Sequence, residues 1–254
     1  MQPEERQKRI AEHLQRVEFA SLDELATVVE ASQSTVRRDL ALLERAGNIR
    51  RTHGGARLLN PRSDEFVFNV RDTRQLAEKK AIGRAAAQLI EPGQTVIIDA
   101  GTTTYHAAQH LEARKPQIIT NSVPVANLFA SATRVETILT GGVLYPRLGV
   151  LVGPLAVETL SHMHADVALM GAGGLTADGV FNSHALLIEI QRVMLRVASR
   201  IVFCLDHTKL GRRTVARLCD LEAVGTLVTD PAAPPDLLAD FRRRGLEVLL
   251  AAPE

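Results

Sequence analysis

Two stretches of this chain gather small polar and basic residues at spacings that suit an anion. The first is 31–40, Ala-Ser-Gln-Ser-Thr-Val-Arg-Arg-Asp-Leu. Val36, Leu40 and Leu43 recur at helical spacing as one apolar stripe, which leaves Gln33, Ser34, Thr35, Arg37, Arg38, Ala41 and Arg45 on the rest of the circumference. Amides and hydroxyls of this kind meet base edges or phosphate oxygens, and an arginine forks onto guanine or clamps a phosphate. The second set lies where apolar, strand-like runs end in small polar residues. Asp99 runs into Gly101, Thr102, Thr103 and Thr104; Ile119 into Thr120, Asn121 and Ser122; Leu139 into Thr140, Gly141 and Gly142; Met170 into Gly171, Gly173 and Gly174; Leu205 into Asp206, His207, Thr208 and Lys209. Free backbone N–H groups and hydroxyls at 101–104 favour a phosphate, and Lys209 adds a formal charge. Asp99, Asn121 and Asp206 can hydrogen-bond sugar hydroxyls, and His207, between Asp206 and Lys209, is a further candidate contact.

The first set needs a helix presented outward. Ser32 is placed as its N-cap and Gly47 as the residue that ends it. Upstream, Ser21-Leu-Asp-Glu24 has the spacing of a capping box and opens a helix over 22–29, with Leu22, Leu25, Ala26 and Val29 on one side. Only Glu30, Ala31 and Ser32 separate the two, so they must cross steeply and share their apolar faces: a helix-turn-helix whose second helix enters a DNA major groove. A helix over 6–17, with Ile10, Leu14 and Val17 in register, covers the apolar side of both. Residues 48–59 read as a β-hairpin wing around His53, Gly54 and Gly55, the glycines supplying positive φ. With Arg50, Arg51, His53 and Arg57 on it, the wing would lie along a phosphate backbone or reach a minor groove. An ordinary helical hairpin with a solvated basic face is the alternative for 21–45 alone, and three helices with a basic wing argue against it. Asp39 is unexpected on such a face. The reading is a contact within its own helix or with the wing that orients an arginine.

The second set needs a parallel sheet. Asn60-Pro-Arg-Ser63 breaks the pattern and marks a boundary. After a helix over 78–90, strands and helices alternate, with nearly continuous apolar strands, which implies a parallel sheet covered on both faces. Its strand ends line one crevice, where ligands bind.

These residues resemble the DeoR family of bacterial transcriptional regulators. In the N-terminal module the likeness rests on Arg6, Ile10, Leu14, Ser32, Thr35-Val-Arg-Arg-Asp-Leu40 and Arg50-Arg-Thr-His-Gly-Gly-Ala56. In the second half it rests on Phe68, Arg71, Glu78-Lys79, Asp99-Ala-Gly-Thr-Thr-Thr104, Thr120-Asn-Ser122, Gly141-Gly142, Gly153, Asp166, Gly171, Asp206 with Lys209 and Gly211, and Thr229-Asp230. The family's sensor domain is similar to ribose-5-phosphate isomerase. The resemblance implies a phosphorylated sugar or similar metabolite that binds here and alters operator affinity. The family usually has an Asn where Gln75 stands, a Glu near Leu187 and a Lys near Gln191, and these departures bear on ligand identity.

The expected fold is therefore α/β: a winged helix-turn-helix domain over 1–59, a linker over 60–76 and a larger parallel-sheet sensor domain over 77–254. The expected partners are double-stranded operator DNA, a phosphorylated sugar or polyol, and a second copy of the chain in a homodimer or homotetramer, held by the sensor domain or by Phe66-Val-Phe68 and the helix after it. The net charge is only +1, but Ser32 to Leu58 carries six arginines against Asp39 and Glu44, the local basic patch that phosphate binding needs. With two cysteines and no apolar run of about 18 residues, a cytoplasmic, non-membrane protein is expected. No cofactor is expected. Catalysis is not expected either, because the isomerase pattern places a lysine before the glycine run and a Glu-Lys pair after it, where this chain has Met170 and Leu175-Thr-Ala177. Asp178 or Glu189 is the substitute a sugar-phosphate enzyme would need. In His162-Met-His-Ala-Asp166 alternation would put both histidines on one face of a strand, but no third ligand is apparent and a solvated loop is the preferred reading; His106 with His110 reads as a surface pair, so no metal is expected.

Overall fold

A computed structural model describes residues 2–17, 19–45, 49–52, 54–58 and 68–252. The chain divides into two compact units, 1–66 and 67–254. Gly47, His53, residues 60–63, Phe66 and Val67 lie outside the described residues, and with them the helix-ending glycine, part of the wing tip and the boundary motif.

The first unit carries α1 (Pro3–Val17), β1 (Phe19–Ser21), α2 (Leu22–Val28), α3 (Gln33–Arg45), β2 (Ile49–Thr52) and β3 (Gly55–Leu58). Ile10, Leu14, Leu25, Val29, Val36, Leu40, Leu43 and Ile49 close a small core. Val17 departs from the expected stripe and is exposed. Only half of the capping box forms: Ser21 Oγ accepts the Glu24 N–H at 3.1 Å, while the Glu24 carboxylate turns to His13 Nε2 at 2.8 Å, fastening α2 to α1. The wing hairpin β2–β3 is present, and β1, which alternation over three residues is too short to signal, adds a third strand against β3. That strand explains Gly55, whose φ is not positive. A Cβ there would stand 2.1 Å from the Ala20 carbonyl oxygen, so the glycine permits close approach of β1.

The second unit is built on a seven-stranded, wholly parallel sheet, in the order β15 (Glu247–Leu250), β14 (Thr226–Thr229), β12 (Ala198–Cys204), β9 (Ala165–Met170), β4 (Thr95–Ile98), β5 (Gln117–Thr120), β6 (Glu136–Leu139). Alternate residues of each strand feed two cores. Ile97, Ala168, Met170, Ile201 and Phe203 face the helices Pro154–Ser161, Ala185–Val197 and Pro235–Arg243. Val96, Ile98, Val167, Leu169 and Val202 face the helices Leu76–Gln88, Thr102–Ala108 and Val123–Phe129. Helices on both faces are what continuous apolar strands require. Gly83 brings Leu76–Gln88 and Thr102–Ala108 together, since a Cβ there would lie 2.6 Å from the His106 carbonyl carbon.

Several elements of the second unit were not read from the sequence, the helices Phe68–Thr73 and Pro154–Ser161 among them. The hairpin of β7 (Val143–Tyr145) and β8 (Val150–Val152) sits beside the end of β5, through a bridge from Ser122 to Val150. A small antiparallel sheet joins β10 (Gly174–Thr176), β11 (Gly179–Asn182) and β13 (Ala216–Cys219). The final helix and β15 form one more βα unit.

Replacing Gly55 by alanine should force β1 away from β3 and destabilise the first unit by about 1–3 kcal/mol. Thermal unfolding followed by limited proteolysis checks this. An unchanged protease pattern and melting profile would contradict the role given to β1.

Candidate DNA-binding face and effector site

In the first unit, α3 is started by Ser32, whose Oγ accepts the Thr35 N–H at 3.3 Å and lies 2.9 Å from both Ser34 Oγ and Thr35 Oγ1. Gln33 Nε2 donates to Asp23 Oδ1 of α2, bracing the turn. Ser32, Gln33, Ser34, Arg37 and Arg38 are exposed on one side, and Val36, Leu40 and Leu43 are buried on the other. Asp39 is buried as well, which corrects the expected contact within α3 or with the wing. Its carboxylate accepts from Arg6 Nε at 2.5 Å, Arg6 Nη2 at 3.2 Å and Gln7 Nε2 at 3.3 Å, all from α1. A buried carboxylate is tolerated only when paired and hydrogen-bonded, so this contact fixes the rotation of α3 and thereby the direction of Arg37 and Arg38. The wing is tied to the same helix by the Arg51 N–H on Glu44 Oε1 at 2.8 Å, with Arg50 half-buried and Arg51 exposed.

In the second unit, the ends of β4, β9 and β12 come together. Asp99, 2% exposed, accepts the Ala100 N–H at 2.8 Å, the Gly171 N–H at 3.1 Å and Gln191 Nε2 at 2.7 Å. Burial raises its pKa against these hydrogen bonds. Gln191 Nε2 also reaches the Gly171 carbonyl at 3.2 Å, and its Oε1 accepts from Asn182 Nδ2 at 2.8 Å. Gly101 lies against Gly171, the two loops touching where neither has a side chain. Thr104 is wholly buried, and its hydroxyl serves the turn itself: it donates towards the carbonyls of Asp99 and Gly101 and accepts the Gly101 N–H. Thr102 and Thr103 open the helix behind Gly101, which offers no capping side chain.

Asp206 Oδ1 accepts the Thr208 N–H at 3.0 Å and its hydroxyl. Asp206 acts on Lys79, which also feels Arg71 and Lys209. Burial lowers the Lys79 pKa to about 8; Arg71 and Lys209 push the same way, and Asp206 opposes them. Lys79 Nζ donates to the Arg71 carbonyl. Arg71 also acts on Asp99 and, with Arg147 of the β7–β8 loop, on His184, whose pKa burial lowers. His207 is turned away by Asp230, which takes both its N–H, at 2.7 Å, and its Nδ1, at 2.8 Å.

Asn121 and Ser122 follow β5, Gly141 and Gly142 follow β6, and Asn121, Ser122 and Gly142 meet β8. Asn121 Nδ2 donates to the Leu151 carbonyl at 3.1 Å, while its buried Oδ1 has no hydrogen-bond partner among the described residues. Ser122 caps the helix Val123–Phe129. Gly142 has a φ of +113°, and a Cβ on it would meet the Val152 carbonyl oxygen at 2.7 Å, so the Gly141-Gly142 turn is also a seat for β8. Arg71, Lys79, Arg147, His184 and Gln191 were not among the expected site residues. Gln191 carried a signal, a lone amide among the buried Leu187, Ile190, Val193 and Met194 of one helix. Of the histidines read as a surface pair, His106 is instead buried between Asp72 and Gln109. His162 follows the last turn of Pro154–Ser161, and among the described residues no three His, Cys, Asp or Glu gather as metal ligands.

The pattern of the DeoR-like helix-turn-helix domain matches residues 6–62, and that of the DeoR C terminal sensor domain matches 74–231. The chain belongs to the DeoR family. Among its relatives, the HTH-type transcriptional regulator GolR of Listeria innocua is 33% identical over 99% of this chain and 100% of its own. The HTH-type transcriptional repressor GlcR of Bacillus subtilis is 34% identical over 98% and 97%. This DeoR-family chain is a DNA-binding transcriptional regulator and not an enzyme. Ribose 5-phosphate isomerase A of Methanocaldococcus jannaschii superposes with a TM-score of 0.38 at 16% identity, over 52% of this chain and 53% of that one, too distant to bear on activity. Among the described residues no helix is long and apolar enough to cross a membrane.

The Lys79 environment has a measurable consequence. Between pH 8 and 10.5 the unfolded lysine keeps a proton that the folded one has lost, so this group makes stability rise with pH across that window. The stability of the wild type minus that of Lys79→Met, from urea unfolding, should therefore increase from pH 8 to 10. A flat difference would place Lys79 in water.

Proposed function

We propose that this regulator represses an operon for a sugar or polyol and is released from its operator by a phosphorylated sugar metabolite bound at the ends of β4, β9 and β12. The observation that carries the reading is the charge around those ends. Arg71 acts on the buried Asp99, and Lys79 is within electrostatic reach of the buried Asp206 and of Arg71, Lys209 and Asp72. Basic side chains gathered beside glycine turns and a helix start suit a phosphomonoester dianion. Asp99, Gly101, Thr102, Thr103, Gly171, Asp206 and Lys209 form the near part of this site, with Thr104 shaping its turn. Asn121, whose buried Oδ1 can accept from a sugar hydroxyl, with Ser122, Gly141 and Gly142, forms the part next to β8. The relatives' names, among them a regulator and a repressor of this family, support repression.

On the DNA side, Ser32, Gln33, Ser34 and Thr35 meet bases or flanking phosphates, and Arg37, Arg38, Arg50, Arg51 and His53 supply charge. Two such modules read two half-sites, which calls for a homodimer or homotetramer working in the cytoplasm. Exposed Leu139, Val143, Leu144 and Leu155, around the β6 edge of the sheet, offer the apolar surface for that assembly.

Fluorescence anisotropy with DNA from the protein's own promoter region tests both halves. If Arg37 contacts phosphate, Arg37→Ala should reduce the slope of log K against log salt by about 0.9. In a panel of fructose 1-phosphate, fructose 6-phosphate, glucose 6-phosphate and glycerol 3-phosphate, one ester should weaken DNA binding on the order of tenfold or more. Arg71→Ala should abolish that response. Binding that no ester alters would defeat the effector reading, and absence of specific binding would defeat the regulator reading.

A further inference from the structure

The helix Phe68–Thr73 is the first described element after the DNA-binding unit, and no residue of it is buried. Directional contacts hold it in place of a core. The Phe68 N–H donates to the Arg147 carbonyl at 2.9 Å. The Phe68 ring stands edge-on to Tyr105, with centroids 5.4 Å apart. Asp72 Oδ1 meets His106 Nε2 at 2.9 Å, and the opposite nitrogen of that ring meets Gln109 Oε1 at 3.0 Å. The helix then ends in a left-handed residue, Gln75, with φ of +51°, before Leu76–Gln88 begins. Phe68 is therefore engaged inside its own unit.

These contacts lead to the effector site from two directions. Arg71, one residue before Asp72, is among the basic groups around Asp99 and Lys79. Tyr105 and His106 belong to the helix that starts at Thr102, directly behind Gly101. That helix is immobilised by its close contact at Gly83 and by the buried Ala107 and Ala108. A short helix with no buried side chain is displaced at far lower cost than the helices packed on the sheet. An anion that draws in Arg71 must then move Phe68–Thr73 against a fixed neighbour, and the chain leading into Phe68 comes from the DNA-binding unit.

We propose that Phe68–Thr73 is the coupling element of the effector response, and that Asp72 and His106 are positioning residues that transmit ligand binding to it without touching the ligand. The inference rests on the effector reading above. It requires a change in coupling, separable from a change in either affinity.

The test uses full-length protein with the same promoter DNA and the ester from the panel that binds. Asp72→Asn and His106→Gln are measured separately, with Phe68→Leu as a third variant that leaves the Asp72–His106 contact intact. Each should bind DNA alone, and ester alone, within about threefold of wild type. The factor by which ester weakens DNA binding should fall from tenfold or more to about twofold or less, and DNA should cease to weaken ester binding, since coupling is reciprocal. Variants that are released like wild type would overturn the proposal. So would variants that lose ester binding itself, because the helix would then be only a wall of the pocket. If no ester binds the wild type, the effector reading fails first and the coupling proposal with it. Near-ultraviolet circular dichroism and melting temperature identify any variant that has not folded, and the two others decide.

Discussion

Everything at the strand ends depends on the carboxylate of Asp99 having been buried at a junction of three elements. A carboxylate without water must collect donors, and this one takes them from its own loop, from the start of the β9 loop and from the middle of the helix Ala185–Val197. Gln191 can serve only in one orientation, because its oxygen is committed to Asn182. The result is a rigid frame in which two glycine loops meet and the first turn of the next helix is left without a side-chain cap. Basic residues can then be arranged around the frame without entering it.

The winged unit follows the same rule with another buried acid. Asp39 lies on the inner side of the recognition helix and is satisfied by Arg6 and Gln7. In both units a buried carboxylate, satisfied by donors distant in the chain, anchors the frame beside a group of basic residues. This arrangement lets so nearly neutral a chain gather basic residues in two places.

Much of this was legible in the sequence. The apolar period of Val36, Leu40 and Leu43 placed α3, and unbroken apolar runs such as Ile201 to Leu205 placed a parallel sheet, because both patterns follow directly from which face is buried. The glycine and threonine turns marked the strand ends for the same reason. What was hidden depends on distance in the chain. Arg6 and Asp39 are 33 residues apart, and Asp99 and Gln191 are 92 apart, so no local pattern pairs them. Gly55 looked like a turn residue and proved to be a gap for β1, a three-residue strand that has no period to detect. Lys79 and Arg71 lie before the first sheet strand, and only the folded chain brings them to the strand ends.

The core of the winged unit is drawn entirely from residues 10–56, whereas the amide of Phe68 is anchored on the loop after β7. A chimaera that joins this reader to a different sensor therefore has a natural seam. Cutting before Phe68 keeps each core whole, but a donor sensor must bring its own helix in place of Phe68–Thr73. Cutting after that helix would leave it without the carbonyl and aromatic ring on which it is seated. Exchange of modules within the family is thus constrained at one short helix, and the freedom to recombine readers with sensors lies in the residues that precede it.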